Sequence, residues 1–265
     1  MALAAGAALA VLLFAAPAPA GPRRVVRVLT WNVGTLDPRA LRLPERDLPR
    51  VAEVIRAASP DVALLQEVAP GQTARLLARL PGWHGATEVV DPAAPDGLSV
   101  VLTRERPRRR PRAALPVGWR AQGAALDGFT AVAVHAPSSG PDDRAAYFDQ
   151  LLAWTRGLEG PLLVAGDFNL GPRRGAGAAA LLPWLRRKDV ATWARFAGGF
   201  DAATTPVRTT VYLLALDHLL VRGGRVAASR VLPGRRFPQD HDPLLVEVEL
   251  ASSTGARGAL ERARR

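Results

Sequence analysis

Acids, amides and imidazoles close the apolar runs of this chain. Gly166-Asp167-Phe168-Asn169 follows the run Pro161-Leu162-Leu163-Val164-Ala165, which sets a carboxylate and a carboxamide at the mouth of a buried strand. Comparable endings recur at Thr30-Trp31-Asn32, Leu65-Gln66-Glu67, Val134-His135, Leu216-Asp217-His218 and Gln239-Asp240-His241-Asp242. One such ending is ordinary. Several, with complementary acid, amide and imidazole groups, describe a single converging site, and the chemistry that set supports is metal-assisted cleavage of a phosphoester. That reaction needs charge neutralised on the nonbridging oxygens, an activated water, and a protonated or stabilised leaving oxygen.

Each group has a role and a bland alternative. Glu67 ends a run that otherwise reads as buried, so it is the preferred ligand for Mg2+, an ion that takes carboxylate oxygens and keeps several waters. Its alternative is a surface acid just past a strand. Asp167 and Asn169 lie two apart and share one side of an extended segment. The carboxylate then orients water or metal and the amide donates to a phosphoryl oxygen; the alternative is an Asx turn capping the strand. His241 becomes a useful base near neutral pH once a carboxylate holds its other ring nitrogen. Adjacent Asp240 does this poorly, because neighbouring side chains on a strand point to opposite faces, so Asp217, arriving from another strand, is the better partner. His218 reads as a packed or surface histidine. His135 reads equally as a satisfied strand-end residue or as the acid aimed at the leaving group.

Strands and helices must bring these tips together. Residues 25–32 read as a strand and 48–58 as an amphipathic helix with Leu48, Val51, Ile55 and Ala58 on one stripe. Residues 61–66 read as a buried strand delivering Glu67, and 73–80 as a second helix ended by Pro81-Gly82. Two apolar, β-branched runs, 98–103 and 129–135, predict strands, with an irregular Pro- and Arg-rich segment between them. The longest helical pattern, 141–158, sets Tyr147, Leu151 and Trp154 on one face and Asp142 and Asp143 in the first turn, where they complement the macrodipole. A flexible loop is expected at 171–177, and 213–221, 225–232 and 243–250 complete the strands. Strand-rich halves punctuated by helices predict two packed sheets with helices outside.

A chain of 265 residues, 48% of them hydrophobic, suits one large domain, and no linker divides it. Residues 1–20 are apolar and end in Ala18-Pro19-Ala20, the form of an export signal cleaved before Gly21, although the segment lacks the usual basic start. The expected organisation is a signal at 1–20, one domain at 21–250 and a mobile basic tail at 251–265, in a monomer with no membrane span once the signal is removed, secreted or held in the periplasm or cell envelope. The absence of Cys excludes disulfides and thiolate metal sites. The net charge of +11 favours polyanionic partners such as nucleic acid or anionic lipid. Lys188 is the only lysine among 35 basic residues, however, which points to GC-rich codon usage as part of that excess. The densest basic run, Arg104 to Arg112, reads as a solvated loop, with a phosphate-tracking patch as the sharper alternative.

Taken together, the stretches Thr30-Trp31-Asn32, Leu64-Leu65-Gln66-Glu67, Val134-His135, Gly166-Asp167-Phe168-Asn169, Leu216-Asp217-His218 and Asp240-His241-Asp242-Pro243 resemble the endonuclease/exonuclease/phosphatase superfamily. That group includes DNase I-like nucleases, abasic-site endonucleases, neutral sphingomyelinases and inositol-polyphosphate phosphatases. The motifs stand in the family's order and span residues 25–250, and so many separated matches are far more specific than any one. The resemblance implies an α/β fold of four layers, α-β-β-α, with two central mixed β-sheets, and divalent-metal-dependent cleavage of phosphoester bonds. It implies that Glu67 binds Mg2+, with Mn2+ and Ca2+ as alternatives, assisted by Asn32 and Asp240. Asp167 and Asn169 would position nucleophile and phosphate. His241, oriented by Asp217, would be the general base, with Asp167 the other residue able to activate water. His135 would protonate the leaving group or donate to the phosphate. Two positions depart from the pattern: Gly97 stands where DNase I-like nucleases pair the His135 counterpart with glutamate, and Gln239 stands where Ser commonly precedes the Asp-His pair.

The expectation is therefore an exported Mg2+-dependent phosphodiesterase whose phosphoester substrate is nucleic acid rather than phospholipid. The alternatives are a sphingomyelinase-like or other phospholipid phosphodiesterase, and a noncatalytic phosphate- or nucleic-acid-binding protein on the same scaffold.

Overall fold

The computed structural model describes residues 23–34, 43–69, 71–86, 98–115, 120–138, 140–170, 183–210, 214–232 and 239–251. The expected signal segment, the tail beyond residue 251, Gly97 and the loop at 171–177 lie outside the described residues.

Strand β1 (Arg23–Asn32) leads through α1 (Leu48–Ala58) to β2 (Val62–Val68), which pairs parallel with it. Helix α2 (Gln72–Leu77), the short β3 (His84–Gly85) and β4 (Leu98–Thr103) follow. Next come β5 (Arg112–Ala114), β6 (Arg120–Ala125) and β7 (Thr130–His135). Helix α3 (Pro141–Arg156) crosses to β8 (Leu162–Asp167), parallel to β7. Helix α4 (Pro183–Ala197), β9 (Ala202–Ala203), β10 (Asp217–Arg222), β11 (Gly224–Val231) and β12 (Leu244–Ala251) complete the chain. The first sheet runs β11-β12-β1-β2-β4-β3 and the second β5-β6-β7-β8-β10-β9, each mixing parallel and antiparallel pairs.

Three apolar layers hold the sheets and helices together. Val26, Val28, Leu64, Ala131, Leu163, Leu219 and Val246 interleave between the sheets. Leu29, Trp31, Leu65 and Val100 face outward from the first sheet onto Val51 and Ile55 of α1 and Leu76 of α2. Val132, Val134 and Val164 face outward from the second sheet onto Tyr147, Phe148 and Leu151 of α3 and Phe196 of α4. Each such burial contributes about 1.5–3 kcal/mol. The result is the expected four-layer α-β-β-α sandwich.

Two segments differ from the sequence reading. The stretch expected to be irregular carries β5 and β6: Arg120-Ala121-Gln122-Gly123-Ala124-Ala125 has no β-branched residue, and its pairing with β7 overrides weak local preference. Helix α4 was not signalled, because its 15 residues are cut by charges at Arg186, Arg187, Lys188, Asp189 and Arg195, so no continuous apolar stripe announces it.

Candidate active site

Strand alternation decides which tips meet. On β1, Val26 and Val28 face the inter-sheet layer, so Asn32 shares their side. The same parity carries His135 from Ala131 and Ala133 on β7, Asp167 from Leu163 and Ala165 on β8, and Asp217 from Leu219 and Val221 on β10. Register places the last three abreast, with His135 beside Asp167 and Asp167 beside Asp217. Asn32 comes from the facing sheet, where it pairs with Gln66.

Glu67 alone has the wrong parity. Ala63 and Leu65 face α1, and strict alternation would send Glu67 after them. The β2–β4 register breaks between Leu65 and Val68, and Glu67 takes φ 59°, a left-handed conformation unusual for a residue with a long side chain. This bulge turns its carboxylate toward Asn32. Holding such a conformation costs about 1–3 kcal/mol, and strain of that kind concentrates at functional sites. On β8 the close approach to β7 demands glycine: a Cβ on Gly166 would stand 1.8 Å from the Val134 carbonyl oxygen.

Hydrogen bonds then lock the groups. Asn32 Nδ2 donates to Glu67 Oε1 at 2.8 Å and to Asp167 Oδ2 at 3.1 Å, joining the two sheets. Its amide oxygen accepts from Gly34 N at 3.0 Å. Asp167 Oδ1 accepts from Asn169 N at 2.8 Å, and Asn169 Nδ2 donates to Ala136 O at 2.9 Å. His241 Nδ1 lies 2.7 Å from Asp217 Oδ2, and its Nε2 points toward Asp167 Oδ2 at 3.6 Å. His135 Nε2 stands 3.7 Å from both Glu67 Oε1 and Asp167 Oδ2. Asp240 is half-buried, close enough for its charge to act on Glu67 and His241. All eight residues singled out in the sequence thus gather at one end of the sandwich.

Residues 29–241 match the model of the Endonuclease/Exonuclease/phosphatase family, most of the chain's length. The chain belongs to the endonuclease/exonuclease/phosphatase family. It is similar to a solved endonuclease/exonuclease/phosphatase from Beutenbergia cavernae, at 23% identity and TM-score 0.65, covering 86% of this chain and 72% of that one. It is also similar to the 3' phosphatase NExo from Neisseria bound to product DNA hairpin, at 19% identity and TM-score 0.64, covering 83% of this chain and 98% of that one. The third is D. rerio TDP2 complexed with single strand DNA product, at 16% identity and TM-score 0.61, covering 84% and 98%. No curated protein sequence matches the chain.

Members of the endonuclease/exonuclease/phosphatase family hydrolyse phosphoester bonds with a divalent metal, and the electrostatics of this site suit one. Burial, helped by the Asp167 and Asp240 charges, pushes the Glu67 carboxyl up to about 7 against the hydrogen bond from Asn32. The Asp167 and Asp240 charges thus both bear on Glu67, and a cation among the three would relieve that repulsion. Their donors are all oxygens, which suits a hard ion such as Mg2+. Asp167, Asp217 and His241 also bring ligand atoms within 4.8 Å of one another. The 2.7 Å bond already commits Asp217 to His241, so that trio is better suited to proton handling than to caging an ion. Asn32, expected as a metal ligand, turns its oxygen to Gly34 and its NH2 to the carboxylates, a geometry that holds those carboxylates in place.

Two histidines are tuned in opposite directions. Burial pulls the His241 imidazole down, but the Asp217 and Asp167 charges outweigh it and raise the ring to about 10. Burial also raises Asp217, offset by the His241 charge. His218 is pushed down to about 4 by burial, although the Ala215 and Leu170 carbonyls support its ring nitrogen.

Three supporting residues escaped the sequence reading. Arg144 is buried; it grips both Asp189 carboxylate oxygens at 3.0 Å and donates to the Ser138 carbonyl at 2.9 Å and the Pro137 carbonyl at 3.3 Å. It thereby fixes the segment after His135 that supplies Asn169 with its acceptor. Its signal was an arginine in register with Tyr147 and Leu151 on the apolar stripe of α3. Trp31 donates from Nε1 to the His241 carbonyl at 3.0 Å. The Thr209 hydroxyl accepts from Asp217 N at 3.3 Å, and its carbonyl from Asp242 N at 2.6 Å.

Proposed function

We propose that this protein is an exported Mg2+-dependent phosphodiesterase acting on nucleic acid. One observation carries the reading: the Asp217–His241 pair, bonded at 2.7 Å, stands beside Asp167 and faces the Asn32–Glu67 pair of the other sheet. Glu67 and Asp240, with Asp167 adjacent, would hold the ion. When bound, it supplies Lewis-acid neutralisation of phosphoryl charge.

The chain's own groups do the rest. Asp217 fixes the tautomer of His241, whose Nε2 and the Asp167 carboxylate flank the position from which water attacks; one of the two accepts its proton. Asn169 spends one amide hydrogen on Ala136, leaving the other to donate to a phosphoryl oxygen. His135 Nε2 opens onto the same acids and donates to the phosphate or the leaving oxygen. Asn32 keeps the two sheets' carboxylates in register.

Nucleic acid is favoured by the charge of +11 and by the DNA products bound to the Neisseria and D. rerio proteins. Among the described residues Val25 is the one large hydrophobic side chain counted as exposed, and no helix is long and apolar enough to cross a membrane. The described residues would therefore offer a phospholipid surface little apolar anchorage. Turnover of DNA, RNA, sphingomyelin and a bis-aryl phosphodiester, with Mg2+, Mn2+, Ca2+ or chelator, tests the reading. Cleavage of DNA or RNA in Mg2+ is expected; sphingomyelin cleavage alone would favour the phospholipid alternative, and no turnover on any substrate would leave a noncatalytic binder. Glu67→Gln should weaken Mg2+ binding by about 10- to 100-fold in calorimetry, the loss typical of a disturbed metal site. Export rests on the apolar segment at 1–20; an exported protein whose N-terminal sequence begins at Met1 would overturn cleavage there.

A further inference from the structure

The active site absorbs none of the chain's densest basic run. Residues 104–112 hold six arginines and one glutamate, and the segment is pinned to the sandwich rather than loose. Arg108 N donates to Ala125 O at 2.8 Å, Ala125 N to Arg109 O at 2.9 Å, and Gly123 N to Pro111 O at 2.8 Å. The run thus continues the β5 edge of the second sheet. Some of its charges are spent: Arg108 pairs with Asp127 at 2.7 Å, and Arg104 donates to Pro60 O and lies over Trp83. Arg106, Arg109 and Arg110 are exposed and make no ion pair or side-chain hydrogen bond among the described residues.

We propose that Arg106, Arg109 and Arg110 form a docking surface for the phosphate backbone of the nucleic-acid substrate, at the end of the sandwich opposite the reaction site. Charged edge strands also serve to block sheet-to-sheet pairing, which needs no cavity. Here Arg109 and Arg110 line a cleft of about 400 Å³ with Thr130, Leu158 and Glu159, which stays net positive. Thr130 begins β7 and His135 ends it, so about 17 Å of strand separates cleft from site at ~3.3 Å per residue. A stacked polynucleotide advances about 3.4 Å per nucleotide, so roughly five nucleotides span that distance and a dinucleotide cannot. An anionic membrane fits less well. Bound through this cleft, the protein would turn its catalytic end away from the bilayer.

The proposal rests on the nucleic-acid reading of the site, so its test separates binding from turnover. The variant Arg106→Ser/Arg109→Ser/Arg110→Ser changes only exposed side chains. Fluorescence anisotropy in chelator, with a labelled strand of about 30 nucleotides, should show weaker binding and a salt slope shallower by about 2, near 0.7 for each lost single-strand phosphate contact. In Mg2+ the same variant should raise KM for that strand about tenfold, the scale of a few lost contacts, and leave turnover of a dinucleotide and of a bis-aryl phosphodiester unchanged. Unchanged affinity and salt slope for the long strand would overturn the docking surface, as would binding to phosphatidylserine vesicles that needs these arginines while strand binding does not. Failure of the wild-type protein to cleave any phosphodiester would sink the catalytic reading, while the anisotropy would still decide the docking surface.

Discussion

Asp217-His218 and Asp240-His241 are the same dipeptide put to opposite uses. In the first, the carboxylate faces the inter-sheet cleft while alternation drives the imidazole outward, against Trp193 at 4.4 Å and Phe168 at 5.7 Å between ring centroids. In the second, the imidazole faces the cleft, and its carboxylate stands aside, half-buried. One aspartate and one histidine, taken from different dipeptides, make the working pair. Local sequence cannot say which member of each will serve; strand parity does.

Breaking the pair should produce the largest effect. His241→Ala is expected to lower kcat on a bis-aryl phosphodiester by about three orders of magnitude, or ~4 kcal/mol, as for loss of a general base. His218→Gln should leave kcat within about threefold, a small fraction of that range. Comparable losses from both would erase the contrast. The second effect belongs to His218. Its folded pKa, about 4, lies below its ordinary 6.5, so the folded state binds fewer protons and its contribution is fully present above pH 6.5. That contribution falls away as pH drops through 4, a loss of about 3 kcal/mol. Urea denaturation between pH 7 and 4 should show it, and His218→Gln should flatten that part of the profile.

Much of this site was legible from residue types and order, and the reasons are physical. Asn32, His135 and Asp167 each end an apolar strand on the parity of its inward residues, so reading the runs was enough to find them; Asp217, expected to close a run, instead opens β10 on the same parity as Leu219 and Val221. The choice of Asp217 over Asp240 as partner of His241 followed from the same alternation. Glu67 was found by type but not by geometry, since only the β2–β4 register break turns it inward. β6 was invisible because its residues are small and none is β-branched, although its partner β7 lies only a short hairpin away. Arg144 escaped because its partner Asp189 lies 45 residues away, on a helix without an apolar signature. Asn32's role depends on which way its amide turns, which follows from Gly34 and not from the motif.

A third test sharpens the contrast by adding the ion. The Asp217 and Asp167 charges raise the His241 ring to about 10, which favours its charged form. Positive charge near Asp167 and Asp240 should cancel part of their pull. Mg2+ is therefore expected to lower the His241 pKa by about one to two pH units, within the usual effect of a charge a few ångströms away. His218, buried on the far side of β10, should not respond. With four histidines in the chain, nitrogen-detected NMR titration can follow each ring. An unmoved His241 would put the ion elsewhere and shift the proton-accepting role to Asp167.

The smallest effect concerns what keeps Asp217 ready. The Thr209 hydroxyl accepts from the Asp217 amide at 3.3 Å and the Leu216 amide at 3.4 Å, and its interaction favours the ionised carboxylate against burial. Thr209→Val keeps the shape and the carbonyl that binds Asp242 but removes that hydroxyl. Stability should fall by about 1 kcal/mol, the net worth of a typical hydrogen bond. Asp217 then becomes harder to ionise and supports the His241 charge less, so kcat should fall about tenfold, as for other outer partners of a catalytic group. Thr209→Ser restores the hydroxyl and should recover most of kcat. If Val and Ser at this position are equally impaired, the loss comes from packing, and the Asp217–His241 pair stands without help from Thr209.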